Sequence, residues 1–83
     1  MNKDSALNPQ KLGNKLLQIR SHLKLSQSEM LVKLGLHERL YRSNISQYER
    51  GDREPSLLVL LKYARAVNIT VDTLIDDEIN LYL

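Results

Sequence analysis

The stretch Arg42-Ser43-Asn44-Ile45-Ser46-Gln47-Tyr48-Glu49-Arg50-Gly51 decides how this chain is read. Its length suits a short helix, and Gly51 suits the left-handed position that ends one. The spacing predicts a helix from Arg42 or Ser43 to Arg50. Only Ile45 and Tyr48 are inward candidates. The remaining positions (Arg42, Ser43, Asn44, Ser46, Gln47) carry hydrogen-bonding side chains. A helix that buries so little is either an ordinary solvated surface helix or one that offers a polar face to a ligand.

Upstream of it, Ser26-Gln27-Ser28-Glu29 has the form of a capping box, in which the Ser hydroxyl and the Glu carboxylate each satisfy an otherwise free backbone N–H. It predicts a second helix with Met30, Leu31 and Leu34 inward and Gly35 as its stop. Before it, Leu12, Leu16, Ile19 and Leu23 recur at helical spacing and predict a first helix. That helix is expected to open at Asn8-Pro9, with Asn8 as the N-cap and Pro9 at the first helical position; Gly13 lies inside it. After Gly51, the turn-rich Asp52-Arg53-Glu54-Pro55 leads to a fourth helix from about Ser56 to Val67. There Leu57, Leu58, Leu60, Leu61, Ala64 and Val67 form a broad apolar face, expected to be the most buried in the chain. Asn68 is its stop, and Thr70 is expected to cap a short fifth helix holding Val71, Leu74 and Ile75. The resulting expectation is an all-α domain of five helices over residues 8–76, followed by an apolar tail, 77–83.

Composition narrows the function. The 83 residues hold no cysteine, so disulfides and Cys-based zinc sites are excluded. No apolar run reaches the roughly 18–20 residues of a membrane span. Met1 to Leu7 lack the apolar run of a secretion signal, so a cytoplasmic protein is expected, with no membrane partner. Net charge is only +2, but it is unevenly spread: residues 8–65 hold eleven Lys/Arg against five Asp/Glu, whereas residues 66–83 hold four acids and no base. The basic segment suits a polyanion, or it is simply a solvated surface. His22 and His37 have no neighbouring ligand cluster, so no metal site is expected. No glycine-rich phosphate loop or catalytic constellation is present. Neither enzyme activity, nor a cofactor, nor a small-molecule ligand is expected.

Leu25-Ser26-Gln27, Leu34-Gly35, Asn44 through Gly51, Pro55-Ser56-Leu57 and Ala64 through Ile75, taken in this order and spacing, resemble the lambda-repressor-like, Cro-type helix-turn-helix family, also called XRE-like. The resemblance runs from about Leu12 to Asp76. It implies a compact five-helix domain whose second and third helices form the motif, with the third lying in the major groove of double-stranded DNA. Polar side chains near the start of such a helix can reach base edges. On that basis base readout is assigned to Arg42, Ser43, Ser46 and Gln47. Arg42 suits guanine and Gln47 suits adenine, with a phosphate contact the alternative for Arg42. Phosphate contacts are assigned to Gln27, Asn44, Arg50 and Arg53. Lys11, Lys15 and Lys24 are expected to add only diffuse attraction. Arg20 and Glu49 match a structural ion pair that in relatives ties the first helix to the third.

The chain departs from the family pattern in two places. Relatives have a shorter turn before the third helix; here Leu36-His37-Glu38-Arg39-Leu40-Tyr41 intervenes. Either the turn is a longer loop, or the third helix begins near Glu38, as the spacing of Leu36, Leu40, Asn44 and Tyr48 permits, in which case Arg39 also reaches DNA. The position usually held by a small residue in the second helix is Leu31. The functional expectation is a DNA-binding transcriptional regulator, a repressor acting as a homodimer on a near-palindromic operator. Leu74, Ile75, Ile79, Leu81, Tyr82 and Leu83 are the candidate dimer surface. The competing expectation is an antitoxin-like module whose tail meets a partner protein.

Overall fold

Local capping signals set most of the helix boundaries in the computed structural model, which describes residues 8–83. The secretion-signal reading rests on Met1 to Leu7 and lies outside the described residues. The described residues form α1 (Leu12–Leu23), α2 (Gln27–Leu34), α3 (Arg42–Arg50), α4 (Leu57–Ala66) and α5 (Val71–Ile75), with no strand among them.

The capping box at α2 is complete. Ser26 Oγ accepts from Glu29 N at 3.0 Å, and Glu29 Oε1 accepts from Ser26 N at 2.8 Å. These bonds to Ser26, through its backbone and then its hydroxyl, hold the Glu29 carboxyl below the usual range. Gly35 and Gly51 take the left-handed conformation, with φ of 72° and 75°, and close α2 and α3. Ser56 Oγ accepts from Val59 N at the start of α4, and Asn68 follows α4 at φ 58°.

Two expected caps are corrected. The first helix starts at Leu12, not at Asn8-Pro9, and Lys11 occupies the N-cap position without a side-chain cap bond of its own. The missing acceptor comes from the far end of the chain. Asp77 Oδ2 accepts from Gln10 N at 2.8 Å and Asp77 Oδ1 from Lys11 N at 3.0 Å. Thr70 does precede α5, but its side chain makes no cap bond; its hydroxyl pairs with that of Thr73 at 3.2 Å.

The core draws on every helix. Leu12, Leu16 and Ile19 come from α1; Met30, Leu31 and Leu34 from α2; Ile45 and Tyr48 from α3; Val59, Leu60, Tyr63 and Ala64 from α4; and Leu74 from α5. Helix α1 packs on α3 and α5, α2 on α3 and α4, and α4 on α5. The apolar face expected for α4 needs correction. Leu57 and Leu58 are 76% and 61% exposed, and the buried face is Val59, Leu60, Tyr63 and Ala64.

The segment between α2 and α3 is a longer loop, not an early helix. Leu36 is buried and Leu40 packs half-buried against the core. Leu36 O accepts from both Arg39 N and Leu40 N at 2.9 Å. Tyr41 is extended, with ψ 160°, so the helical path begins only at Arg42. Leu31 sits in the core beside this anchor, with Leu36 N donating to its carbonyl at 2.9 Å.

Lys15 is a further correction. It is 4% exposed and cannot contribute diffuse surface charge. Its Nζ donates to the carbonyls of Thr73 (2.7 Å), Asp76 (3.0 Å) and Ile79 (2.8 Å), at the end of α5 and in the tail. A cation suits these carbonyls, because the C-terminal end of a helix carries partial negative charge. Lys15 and Asp77 together stitch residues 76–79 onto α1. Among the described residues no helix is long and apolar enough to cross a membrane.

Candidate nucleic-acid interface

Helix α3 is held by α1 and α2 so that one of its sides stays open. A close approach occurs at Gly13. A Cβ there would stand 2.7 Å from the Glu49 carbonyl oxygen and 2.9 Å from that of Tyr48, so the α1 backbone rests directly on the C-terminal turn of α3. An ion pair between Arg20 and Glu49 links α1 to α3. Arg20 Nε donates to Glu49 Oε2 at 2.6 Å and Arg20 Nη2 to Glu49 Oε1 at 3.0 Å, a two-pronged bridge. Its third nitrogen, Nη1, donates to the Leu25 carbonyl at 3.0 Å, fixing the α1–α2 turn. Hydrogen bonding to Glu49 raises the Arg20 pKa against the opposing effect of burial. Gln27 Nε2 adds a bond to Glu49 Oε1 at 3.1 Å, so one carboxylate joins α1, α2 and α3. Tyr63 is wholly buried, with no hydrogen-bond partner for its hydroxyl among the described residues. Burial first, then the nearby Glu49 charge, pushes its pKa up.

With α3 fixed in this way, six of the residues singled out from the sequence line one shallow concavity: Gln27, Arg42, Ser43, Ser46, Gln47 and Arg50. Arg42 and Ser43 are exposed, and Ser46 and Gln47 half-buried. Among the described residues, the side chains of Arg42, Ser43 and Ser46 make no hydrogen bond or ion pair, and Gln47 Oε1 is buried without a partner. Arg50 Nε pairs with Asp52 Oδ2 at 3.1 Å, but both side chains are more than 60% exposed. Such a pair contributes little and exchanges readily for another anion.

The other two assigned phosphate residues lie elsewhere. Asn44 and Arg53 line a separate groove between α3 and α4. Asn44 is also engaged in the protein itself, since its Oδ1 accepts from Tyr41 N at 2.9 Å and caps α3. Among the proposed dimer residues, Ile75, Ile79, Tyr82 and Leu83 are exposed, and Leu81 packs against the core. Leu74 is corrected: it is wholly buried in its own chain and has no surface to give a partner. Gly13, Lys15, Asp77 and the Gln27–Glu49 bond had no local signal in the sequence, because each depends on a partner from a distant segment. Among the described residues no cluster of three or more His, Cys, Asp or Glu is placed to hold a metal.

Residues 13–78 match the family model described as a helix-turn-helix domain. No curated protein matches the chain. Among solved structures, the chain is similar to the P22 c2 repressor, solved in complex with synthetic operator 9T in the presence of Tl⁺. The identity is 27% and the TM-score 0.67, over 80% of this chain and 94% of that one. It is also similar to the restriction-modification controller protein C.AhdI from Aeromonas hydrophila, at 36% identity and TM-score 0.63, over 77% of this chain and 91% of that one. With α2 and α3 set against each other by the Glu49 network and the match spanning all five helices, this chain belongs to the lambda-repressor-like, XRE-type family of helix-turn-helix domains.

Proposed function

We propose that this protein is a sequence-specific regulator of transcription that binds double-stranded DNA, a repressor acting as a homodimer on a near-palindromic operator. The observation that carries this reading is the open side of α3. Arg42, Ser43, Ser46 and Gln47 share one concavity with the start of α2, and the first three have no partner within the described chain. An α-helix fits the major groove, and these side-chain types match the donors and acceptors on base edges there. The P22 c2 repressor, which has the same fold, was solved on an operator. Gln27 supports the reading at the backbone, where the free N–H groups at the start of α2 favour a phosphate.

Pairing of subunits would place two copies of α3 in successive major grooves about 34 Å apart. Two exposed apolar patches could serve it: Ile75, Ile79, Tyr82 and Leu83 near the end of the chain, and Leu57 with Leu58 at the start of α4. Sedimentation of the purified chain separates a homodimer from a monomer whose patches await an unlike protein, as in an antitoxin.

Selection of bound duplexes from a random pool tests the function directly, since it reports binding, consensus and half-site spacing together. On the selected site, Arg42→Ala and Gln47→Ala should each cost about 1–3 kcal/mol and relax base preference at one position. Equal losses on selected and random duplexes would remove the residue from base readout. Arg53→Ala should weaken all duplexes alike.

A further inference from the structure

The six-residue turn before α3 projects a basic side chain, Arg39, into solvent. Leu36 and Leu40 are drawn inward, the Leu36 carbonyl closes the turn on Arg39 N and Leu40 N, and His37, Glu38 and Arg39 are left in solvent. Arg39 makes no side-chain hydrogen bond or ion pair among the described residues. Tyr41, next along, is 78% exposed. Arg39 and Tyr41 line the groove of about 570 Å³ between α3 and α4, with Arg53 and Asn44. Glu54 also lines it, so two guanidiniums face one carboxylate and the groove is basic on balance.

The position of this groove identifies its occupant. Ser43 and Gln47 line the recognition concavity, whereas their chain neighbours Asn44 and Tyr48 line the groove, so the two lie on adjacent sides of α3. A helix with its side chains is about 10–12 Å across, and the major groove is about 12 Å wide. A helix seated there therefore has a phosphate strand along each flank. The start of α2, with Gln27, meets one strand. We infer that the groove between the α2–α3 turn and the α3–α4 loop seats the other strand, with Arg39 and Arg53 each neutralising a phosphate and Tyr41 walling the strand beside them. The inference rests on the DNA-binding reading above and adds the inserted turn to its contact surface.

The test is a titration of duplex DNA over a series of salt concentrations, using the full chain and both selected and random duplexes. Arg39→Ala should lower the slope of log affinity against log salt by about one, and Arg39→Ala with Arg53→Ala by about two. The loss should be the same on both duplexes. Arg39→Lys keeps the charge and should keep the slope. Arg65→Ala, an exposed α4 arginine outside both concavities, makes the same change in net charge and should leave the slope unchanged. Wild-type binding with an unaltered slope for Arg39→Ala overturns the inference and leaves the function standing. Equal effects of Arg39→Ala and Arg65→Ala also overturn it, because diffuse charge then explains the loss. If the wild-type chain ignores every duplex at low salt, the proposed function fails first and the inference with it. Since Arg39 is exposed and has no partner among the described residues, its variants should melt like the wild type, and the melt checks that each one is folded.

Discussion

At Gly13, helix propensity and packing pull in opposite directions. Gly13 stands in the first turn of α1, where alanine is the better helix former by up to about 1 kcal/mol. Here the added Cβ would sit 2.7 Å and 2.9 Å from two backbone carbonyl oxygens of α3, which cannot swing away as a side-chain tip can. Overpacking of this kind typically costs about 1–3 kcal/mol, so Gly13→Ala should lower the melting temperature despite the propensity gain. DNA affinity should fall as well, because it is the recognition helix that is displaced; an unchanged melt and unchanged binding would contradict the close contact. Tyr63 presents the reverse case. Its hydroxyl is buried with no partner among the described residues, and a lone buried polar group carries its full desolvation cost, about 1–3 kcal/mol. Tyr63→Phe keeps the ring and removes the cost, so thermal melts should show equal or greater stability. A clear loss would mean that the hydroxyl is satisfied, for instance by an internal water.

Among the elements, α3 depends most on its neighbours, since Ile45 and Tyr48 are its only buried residues. Its orientation comes from the Glu49 carboxylate, which receives Arg20 from α1 and Gln27 from α2. Glu49 is 6% exposed and Arg20 19% at the side chain. Removing the guanidinium leaves a nearly buried carboxylate without its counter-charge, and losses of about 3 kcal/mol are typical. Arg20→Ala should therefore destabilise the fold by roughly that amount in chemical denaturation. Combining Arg20→Ala with Glu49→Ala should restore part of the loss, because the uncompensated charge is then gone. A fully additive pair would show that the two residues act independently.

For the molecule as a whole, the first and last helices are joined by paired electrostatics. Asp77 caps the start of α1, and Lys15 of α1 caps the end of α5. Hydrogen bonds from the Gln10 and then the Lys11 backbone hold the Asp77 carboxyl below its ordinary range. A folded-state pKa below the unfolded one gives stability that is complete above the unfolded value, about 3.9. That stability is lost as pH falls through the folded value. Asp77→Asn should thus lower the melting temperature at neutral pH and flatten its decline below about pH 4. Part of the acid sensitivity should survive, since Glu29 in the α2 capping box is shifted the same way. A variant with the wild-type acid profile would show that Asp77 is not the cap.

The number and order of helices, the α2 capping box, the stops at Gly35 and Gly51 and the polar side of α3 could all be read from residues a few positions apart. A cap or a turn is a short-range interaction, and its signal lies within one or two helical turns. The apolar run from Leu57 to Leu61 covers every side of its helix, so periodicity could not choose an inward face. Docking of α4 on α2 and α5 turned Val59 and Leu60 in and left Leu57 and Leu58 out. The α2–α3 turn fitted either a loop or an early helix by spacing, until Leu36 and Leu40 were packed. Asp77 meets Gln10 across 67 residues, Lys15 reaches Ile79 across 64, and Gly13 faces carbonyls of another helix. Such partners are brought together only when the helices assemble, because no local periodicity encodes a contact between segments so far apart.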